Sequence, residues 1–408
     1  MRNKALQPKS VRFRQNGSAL LLVAWILLIM GSVSLFLLYR SSAEWASAMS
    51  MSRRIRLQEV AADRLRQCIT ELNVDESDSD DKTDGWFFGG RIDEEWGNQN
   101  EFKLTTIIED EGSKPNINYV YAYQNLEVFL PKEISSAPLQ DWIDRNEEPQ
   151  NDGAENPYYQ SLNPPYKSRD GFLSTLEEIK QIKDGDKLYP KLAPYFTVYG
   201  KANPNIINWN TFSNLLYSNG LKDYSWEKIM AEFGNLTRSA SRTHFFLKAD
   251  DFSRVGASDL DQDKMAPLFR FNGFCNLNLI SLKGLKFLFA EAELNKDAAK
   301  RMIEIRENDP FKNWERARQV LMDQAAPKNQ AILEDYFTVT TTVVRYKIWV
   351  RYQQSVYYLD TVWERYRVTN AKTKWQCHPL SWRILLNAEA PDIPDKDAKE
   401  EDEENQNQ

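Results

Sequence analysis

The chain has little of what enzymes use to hold metals or activate nucleophiles. Its 408 residues include three cysteines and two histidines. Cys68, Cys275 and Cys377 lack metal-ligand spacing, and an odd count leaves at least one thiol unpaired within a monomer. Nothing in the sequence selects a Cys275–Cys377 pair. His244 and His378 are too far apart in sequence to mark a zinc site. There is no glycine-rich phosphate loop, no Gly-x-Ser-x-Gly elbow and no His-Glu-x-x-His pair. No serine–histidine–acid triad can be assembled from order or spacing. The chain reads as a non-enzyme.

Charge is also missing where it matters. The run from Ser18 to Tyr39 contains no charged residue. As a helix it spans roughly 33 Å, enough to cross a bilayer core of about 30 Å. A secretory signal has a shorter apolar core, about 7–15 residues, ending in small residues. This run ends in Leu-Leu-Tyr-Arg. Before it stand Arg2, Lys4, Lys9, Arg12 and Arg14 with no acid, whereas Arg40 and Glu44 cancel just after it. The positive-inside rule then puts the leader in the cytoplasm and the bulk of the chain across the membrane.

Helix breakers are absent from Ser41 to Leu72. Leu57, Val60, Ala61, Leu65, Cys68, Ile69 and Leu72 recur at three- and four-residue spacing, which predicts one apolar face. Joined to the membrane run, this gives one helix over about 18–72. An excess of basic charge is missing too. The net charge is −7, and the segment from Glu389 to Gln408, with nine acids and two lysines, accounts for all of it. That tail has almost no apolar residues and is expected to be solvated.

The junction of basic leader, Gly17 and apolar run resembles the processing site of type IV prepilins and pseudopilins. The resemblance implies a cut between Gly17 and Ser18 by a prepilin peptidase, and methylation of the new Ser18 amine. Major subunits of that family carry glutamate at the fifth mature position; here it is Leu22. Within the family that absence is typical of the K-type minor pseudopilin of type II secretion. The run Leu139–Tyr166, LQDWIDRNEEPQNDGAENPYYQSLNPPY, is similar to that family's Asp-Trp-Ile-Asp, Gly-Ala-Glu and paired-tyrosine run. The matching residues are Asp141, Trp142, Ile143, Asp144, Gly153, Ala154, Glu155, Tyr158 and Tyr159.

Asp141 and Asp144 share a face if helical, and Glu147, Glu148, Asp152 and Glu155 follow in a loop with Pro149 and Gly153. Convergent carboxylates suit a hard cation with six to eight oxygen ligands, and they repel one another unless neutralised. The resemblance suggests calcium, for which we single out Asp141, Asp144, Asp152 and Glu155. The segment Asp75–Gly90 is also acidic, but it fails the EF-hand register and is expected to be a solvated loop. Phe102–Asn118 reads as two short strands around Glu111-Gly112-Ser113, resembling a hairpin of the same family.

An internal repeat follows. KLAPYFTVYG at Lys191–Gly200 and KMAPLFRFNG at Lys264–Gly273 match at Lys, Ala, Pro, Phe and Gly. Each leads into an asparagine alternation, Asn208-Trp209-Asn210 and Asn276-Leu277-Asn278, and then a helical run. The two copies resemble helix-hairpin-helix (SAM-like) units, which raises a DNA-binding alternative. A phosphate-gripping hairpin needs glycines and positive charge. The second copy's turn, Glu291-Ala292-Glu293-Leu294-Asn295, has neither, and no nucleic-acid partner is expected. Strand-like alternation returns over Tyr336–Arg345, Lys347–Tyr352 and Val356–Val368.

The expected fold is α+β: a transmembrane and spine helix packed on a split antiparallel sheet, with a large inserted helical domain of two repeats. The expected divisions are leader 1–17, helix 18–72, first sheet part 73–170, insert 171–330, second sheet part 331–388 and tail 389–408. The family resemblance, to general secretion pathway protein K, implies a single-pass subunit of the bacterial inner membrane. Its bulk would be periplasmic, capping or nucleating a secretion pseudopilus. Its partners would be the prepilin peptidase and other minor pseudopilins. A competence-type DNA receptor and an accessory minor pilin are the alternatives.

Overall fold

The computed structural model describes residues 18–98, 101–120, 123–220, 267–295, 297–323, 330, 333–367 and 375–386. Gly17 and the leader, His244, most of the first copy's helical run and the acidic tail lie outside them. The chain divides into Met1–Val60 and Ala61–Gln408.

Helix α1 runs unbroken over Ser18–Val74. Its first part is long and apolar enough to cross a membrane, and Leu20–Tyr39 present their large apolar side chains outward. The expected stripe is seen further on: Leu57, Ala61, Leu65, Cys68 and Leu72 are buried, and Val60 and Ile69 are half-buried. In the second unit this face lies on a sheet, where Arg64 donates from Nε to Thr106 Oγ1 (3.2 Å) and pairs with Glu94 (2.9 Å).

The sheet has five antiparallel strands in the order β1 (Arg91–Trp96), β2 (Phe102–Asp110), β5 (Val343–Tyr352), β6 (Ser355–Arg367) and β7 (Trp375–Leu386). Two two-residue strands elsewhere, β3 (Cys275–Asn276) and β4 (Phe337–Thr338), pair in parallel. Neighbouring β2 and β5 are joined by everything from 111 to 342, so the sheet is split by an insertion. Two expectations about strands need correcting. The sheet starts at Arg91, and Phe102–Asn118 is no hairpin. After β2 the chain turns away at Glu111–Ser113, and Glu111 and Gly112 bond through their N–H groups to Val343 O of β5 (3.0 and 2.9 Å). Tyr336–Arg345 is likewise not one strand, being interrupted between β4 and β5.

Among the described residues of the insert, one asparagine turn occurs three times. Asn116-Ile117-Asn118, Asn203-Pro204-Asn205 and Asn276-Leu277-Asn278 each form the same turn. In each the second asparagine's N–H bonds the first one's Oδ1, at 3.0, 3.0 and 2.9 Å. Each turn opens a unit that closes with a phenylalanine segment running parallel beside it. Thr197 N bonds Pro115 O (3.1 Å), Arg270 N bonds Ala202 O (2.8 Å), and Cys275 pairs with Phe337. The closing segments are Tyr195-Phe196-Thr197-Val198, Leu268-Phe269-Arg270-Phe271 and Tyr336-Phe337-Thr338-Val339. The true counterpart of Asn276 is therefore Asn203, not Asn208; Asn208 instead caps helix α5 (Trp209–Ser218) by accepting from Thr211 N.

The first and third units share a further clamp. Asn118 exchanges two hydrogen bonds with the backbone of Leu173 (3.0 and 2.8 Å), and Asn278 does the same with Phe311 (3.0 and 2.9 Å). A buried amide that satisfies both groups of one residue fixes a crossing loop without leaving polar groups unpaired. The third unit contains α6 (Leu282–Glu291), α7 (Ala298–Asn308) and α8 (Trp314–Met322).

The segment after α1 is not the solvated loop expected from its acids. Asp80, Asp81 and Trp86 are buried. Asp80 accepts from Trp86 Nε1 (3.0 Å) and Thr341 N (2.6 Å), and its carboxylate pairs with Arg365 of β6. Its carbonyl takes the amides of Asn276 and Asn278 (3.0 and 3.1 Å). Arg365 also reaches Asp75 (3.1 Å) and the Thr341 carbonyl, and lies over the Trp375 and Trp86 rings at 4.4 and 5.4 Å. This buried junction ties helix end, insert and sheet together.

Asp110 sits in the same junction, and among the described residues no cation bonds to it. It accepts from Ser113 N (3.1 Å), Ser113 Oγ and Thr341 Oγ1 (3.0 Å). Burial, only partly offset by these donors, pushes its carboxyl up to about 7. The folded state therefore keeps a proton that the unfolded chain loses near its ordinary value of about 4. Stability should fall as pH rises from about 4 to about 7 and then level off. Thermal melts across that window check this: Asp110→Asn should reduce the slope, and an unchanged slope would assign it to other groups.

Candidate functional site

The acidic run spans two short helices of the first repeat and the loop between them. Helix α2 (Ala137–Ile143) starts with Pro138, which suits a first turn, and buries Leu139, Trp142 and Ile143. Helix α3 (Asn156–Gln160) buries Tyr159. The aromatics of the matching run are core: Trp142 meets the edge of Tyr159 at 5.0 Å, and Tyr159 packs on Tyr166 at 5.4 Å.

The four singled-out acids have different positions. Asp141 is fully buried and ties down the loop, accepting from Gln150 N (3.1 Å) and Ala154 N (2.7 Å). Gly153 permits this: a Cβ there would stand 1.9 Å from Asp141 Oδ2. Asp144 ends α2 half-buried, and its Oδ1 is buried with no hydrogen-bond partner. Glu155 is 2% exposed, and both its carboxylate oxygens are buried without a partner. Asp152 is exposed at the loop tip with φ 63°, and its carbonyl accepts from Lys183 Nζ (3.0 Å).

Burial first, and then Asp141, Asp144, Asp170 and Glu147, push the Glu155 carboxyl up to about 8. Burial and Asp141 raise Asp144 to about 6. Asp170 was not legible in the sequence, because it follows the acidic run by fifteen positions and belongs to no motif. Asn156 brings it in: its Nδ2 bonds Glu147 Oε1 (2.9 Å) and Asp170 Oδ2 (3.4 Å), and its Oδ1 takes Ser168 N (3.0 Å). Asp144, Glu155 and Asp170 thus feel one another's charge, and the buried oxygens of Asp144 and Glu155 lack hydrogen-bond partners. Among the described residues, no three His, Cys, Asp or Glu side chains stand where they could hold a metal ion together. A hard cation could satisfy these oxygens only if the side chains drew closer together.

Comparison with known proteins agrees with this segment. The family profile described as "Type II secretion system (T2SS), protein K" matches residues 122–201, the stretch that holds α2, the acidic loop and α3. No curated protein sequence matches the chain significantly. Among solved structures, a chain of the GspK–GspI–GspJ complex from the type 2 secretion system of enterotoxigenic Escherichia coli aligns with 85% of this chain and 98% of its own. The TM-score is 0.48 and the identity 12%. Over residues 122–201 the chain is similar to protein K of type II secretion.

Proposed function

We propose that the protein caps or nucleates the tip of the secretion pseudopilus, with its bulk in the periplasm and other minor pseudopilins as partners. The observation that carries this is the insertion of residues 111–342 between the adjacent strands β2 and β5. A body of that size on a pilin-like sheet leaves little room for another subunit above it. Leu22 supports the same reading. The fifth-position carboxylate that would pair with a neighbour's terminal amine in the filament body is missing. Co-expression with a prepilin peptidase tests this by mass spectrometry of the mature end. A chain starting at methylated Ser18 is expected, with Gly17→Ala left uncut; an intact leader in the wild type would contradict the reading.

We propose further that Asp144, Glu155 and Asp170 hold calcium in the first unit, with Asp141 and Gly153 shaping the loop. Bound calcium would neutralise carboxylates that otherwise repel one another. Adding calcium at millimolar concentration should raise the melting temperature by several degrees, since a ligand bound only by the folded state stabilises it. Glu155→Gln should abolish that rise. Gly153→Ala should both lower the melting temperature and weaken the calcium response. A wild type that ignores calcium would remove this part of the proposal.

A further inference from the structure

We propose that the acidic tail, Glu389–Gln408, binds back into a basic slot between the repeat units of the insert and latches them together.

The slot lies where the first and second asparagine turns meet α6. Val120, Ile206, Ile207, Phe274 and Leu288 give it apolar walls. Its charged lining is unbalanced. Lys114 is answered by Glu109 and Glu111 (3.1 and 2.8 Å). Arg270 and Lys201 are not: among the described residues, no carboxylate lies at ion-pair distance from either. Arg270 is half-buried and donates to the carbonyls of Asn272 (3.0 Å) and Gly273. Burial pushes its guanidinium down to about 10, with partial relief from Glu364. Glu291, an acid on the same lining, is 5% exposed, and Asn125 donates to its Oε1. A cation withdrawn from water without a counter-charge calls for an anion.

The size of the slot selects the kind of anion. It encloses about 50 Å³. An apolar cavity of roughly 150 Å³ takes benzene, so this one takes a single small side chain. Aspartate or glutamate would put its charge on Arg270 and Lys201 and its short stem on the apolar walls. On a free ligand, one such side chain would bind weakly, on the order of millimolar. A tether offsets that weakness, because a short linker supplies an effective concentration on the order of millimolar with no new contact. The slot thus suits a segment of the same chain better than a diffusing ligand.

The tail has the charge and the reach. It carries nine acids and two lysines, the whole net charge of the protein. Strand β7 ends at Leu386, in register with Tyr357 and Val350. The slot is lined by Val343, seven residues back along β5. Seven residues along a strand and two strands across put it roughly 25 Å from Leu386. Twenty-two residues follow Leu386, and a polar tether of that length spans about 26 Å r.m.s.. Cations nearer the end of β7 already have acids beside them. Arg383 pairs with Glu177 and Asp360 (2.8 and 3.1 Å), and Lys103 and Arg351 share a cleft with Asp93 and Glu95.

Carbodiimide coupling of the full chain in detergent tests the contact, since it joins a lysine to a carboxylate only where the two touch. Mass spectrometry should find Lys201 linked to an acid within 389–408. In a mixture of heavy-isotope and ordinary protein the link should stay within one chain. It should fall about fivefold in Arg270→Gln, and also in about 0.5 M salt, which screens exposed charges. Thermal melts give the second arm. Deleting 389–408 should lower the melting temperature by a few degrees, Arg270→Gln in the full chain by as much, and both together by little more than either. No link from Lys201 to the tail, links only between heavy and ordinary chains, or a deletion without effect would overturn the inference. So would equal losses from Arg270→Gln with and without the tail, which would make Arg270 merely structural.

Discussion

Arg365→Met should destabilise the protein by about 3–5 kcal/mol, enough to unfold much of it at physiological temperature. Arg365 is 1% exposed, and its guanidinium is shared by Asp80, Asp75 and the Thr341 carbonyl. Methionine would keep some of the contact with Trp86 and Trp375 but none of the charge. Asp80 would then be a buried carboxylate facing Asp110 without a cation, in a junction that also holds the Asn276 and Asn278 amides. A buried pair adds little over an apolar replacement of both partners, but removing one partner is costly. Arg367, paired with exposed Asp78 at 2.8 Å, is the control. Arg367→Ala should change stability by about 0.5 kcal/mol or less. Denaturant unfolding of the detergent-solubilised protein compares the two, and equal effects would refute a central role for the junction.

Asn278→Ala should cost about 3 kcal/mol, because it strands two buried backbone groups of Phe311 at once. The repeat gives an internal comparison. Asn118→Ala removes the equivalent clamp on Leu173 and should cost about as much. Asn205 donates to Asp335 Oδ1 at 2.6 Å, and Asp335 keeps Asn203 as a second donor at 3.1 Å. For loss of that bond, Asn205→Ala should cost about 1 kcal/mol. Similar losses at all three positions would mean that the turns, and not the clamps, carry the stability.

What could be read in the sequence was what short-range patterning encodes. The α1 stripe follows from three- and four-residue spacing, and the structure buries Leu57, Ala61, Leu65, Cys68 and Leu72 as that spacing requires. Strands β5 and β6 were legible from Val, Tyr and Trp. Strand β1, RIDEEW, was not, since its acids mask an alternation in which only Ile92, Glu94 and Trp96 turn inward. The repeat was half legible. Lys-x-Ala-Pro marks two closing segments, whereas the third keeps only Tyr-Phe-Thr-Val. The asparagine register slipped by five because Asn208 and Asn210 imitate the Asn203–Asn205 pattern. The Asp80–Arg365 junction joins positions 285 residues apart, and no local pattern announces it. Local acid density suggested solvation for Asp75–Gly90, but tertiary pairing made it core.

The acidic run shows the same division. The density of carboxylates and the family resemblance single it out in the sequence. The division of labour within it was not legible there. Asp141 is occupied by backbone donors, Asp152 is exposed, and Asp170 enters from outside the run through Asn156.

The most direct test of the tip assignment is to count and place the subunit in assembled filaments. Pseudopili grown with all minor subunits present are labelled with gold against a tag on this chain and imaged by electron microscopy. The tip assignment predicts label at one end only, at one site per filament. Gold distributed along the filament length would contradict it.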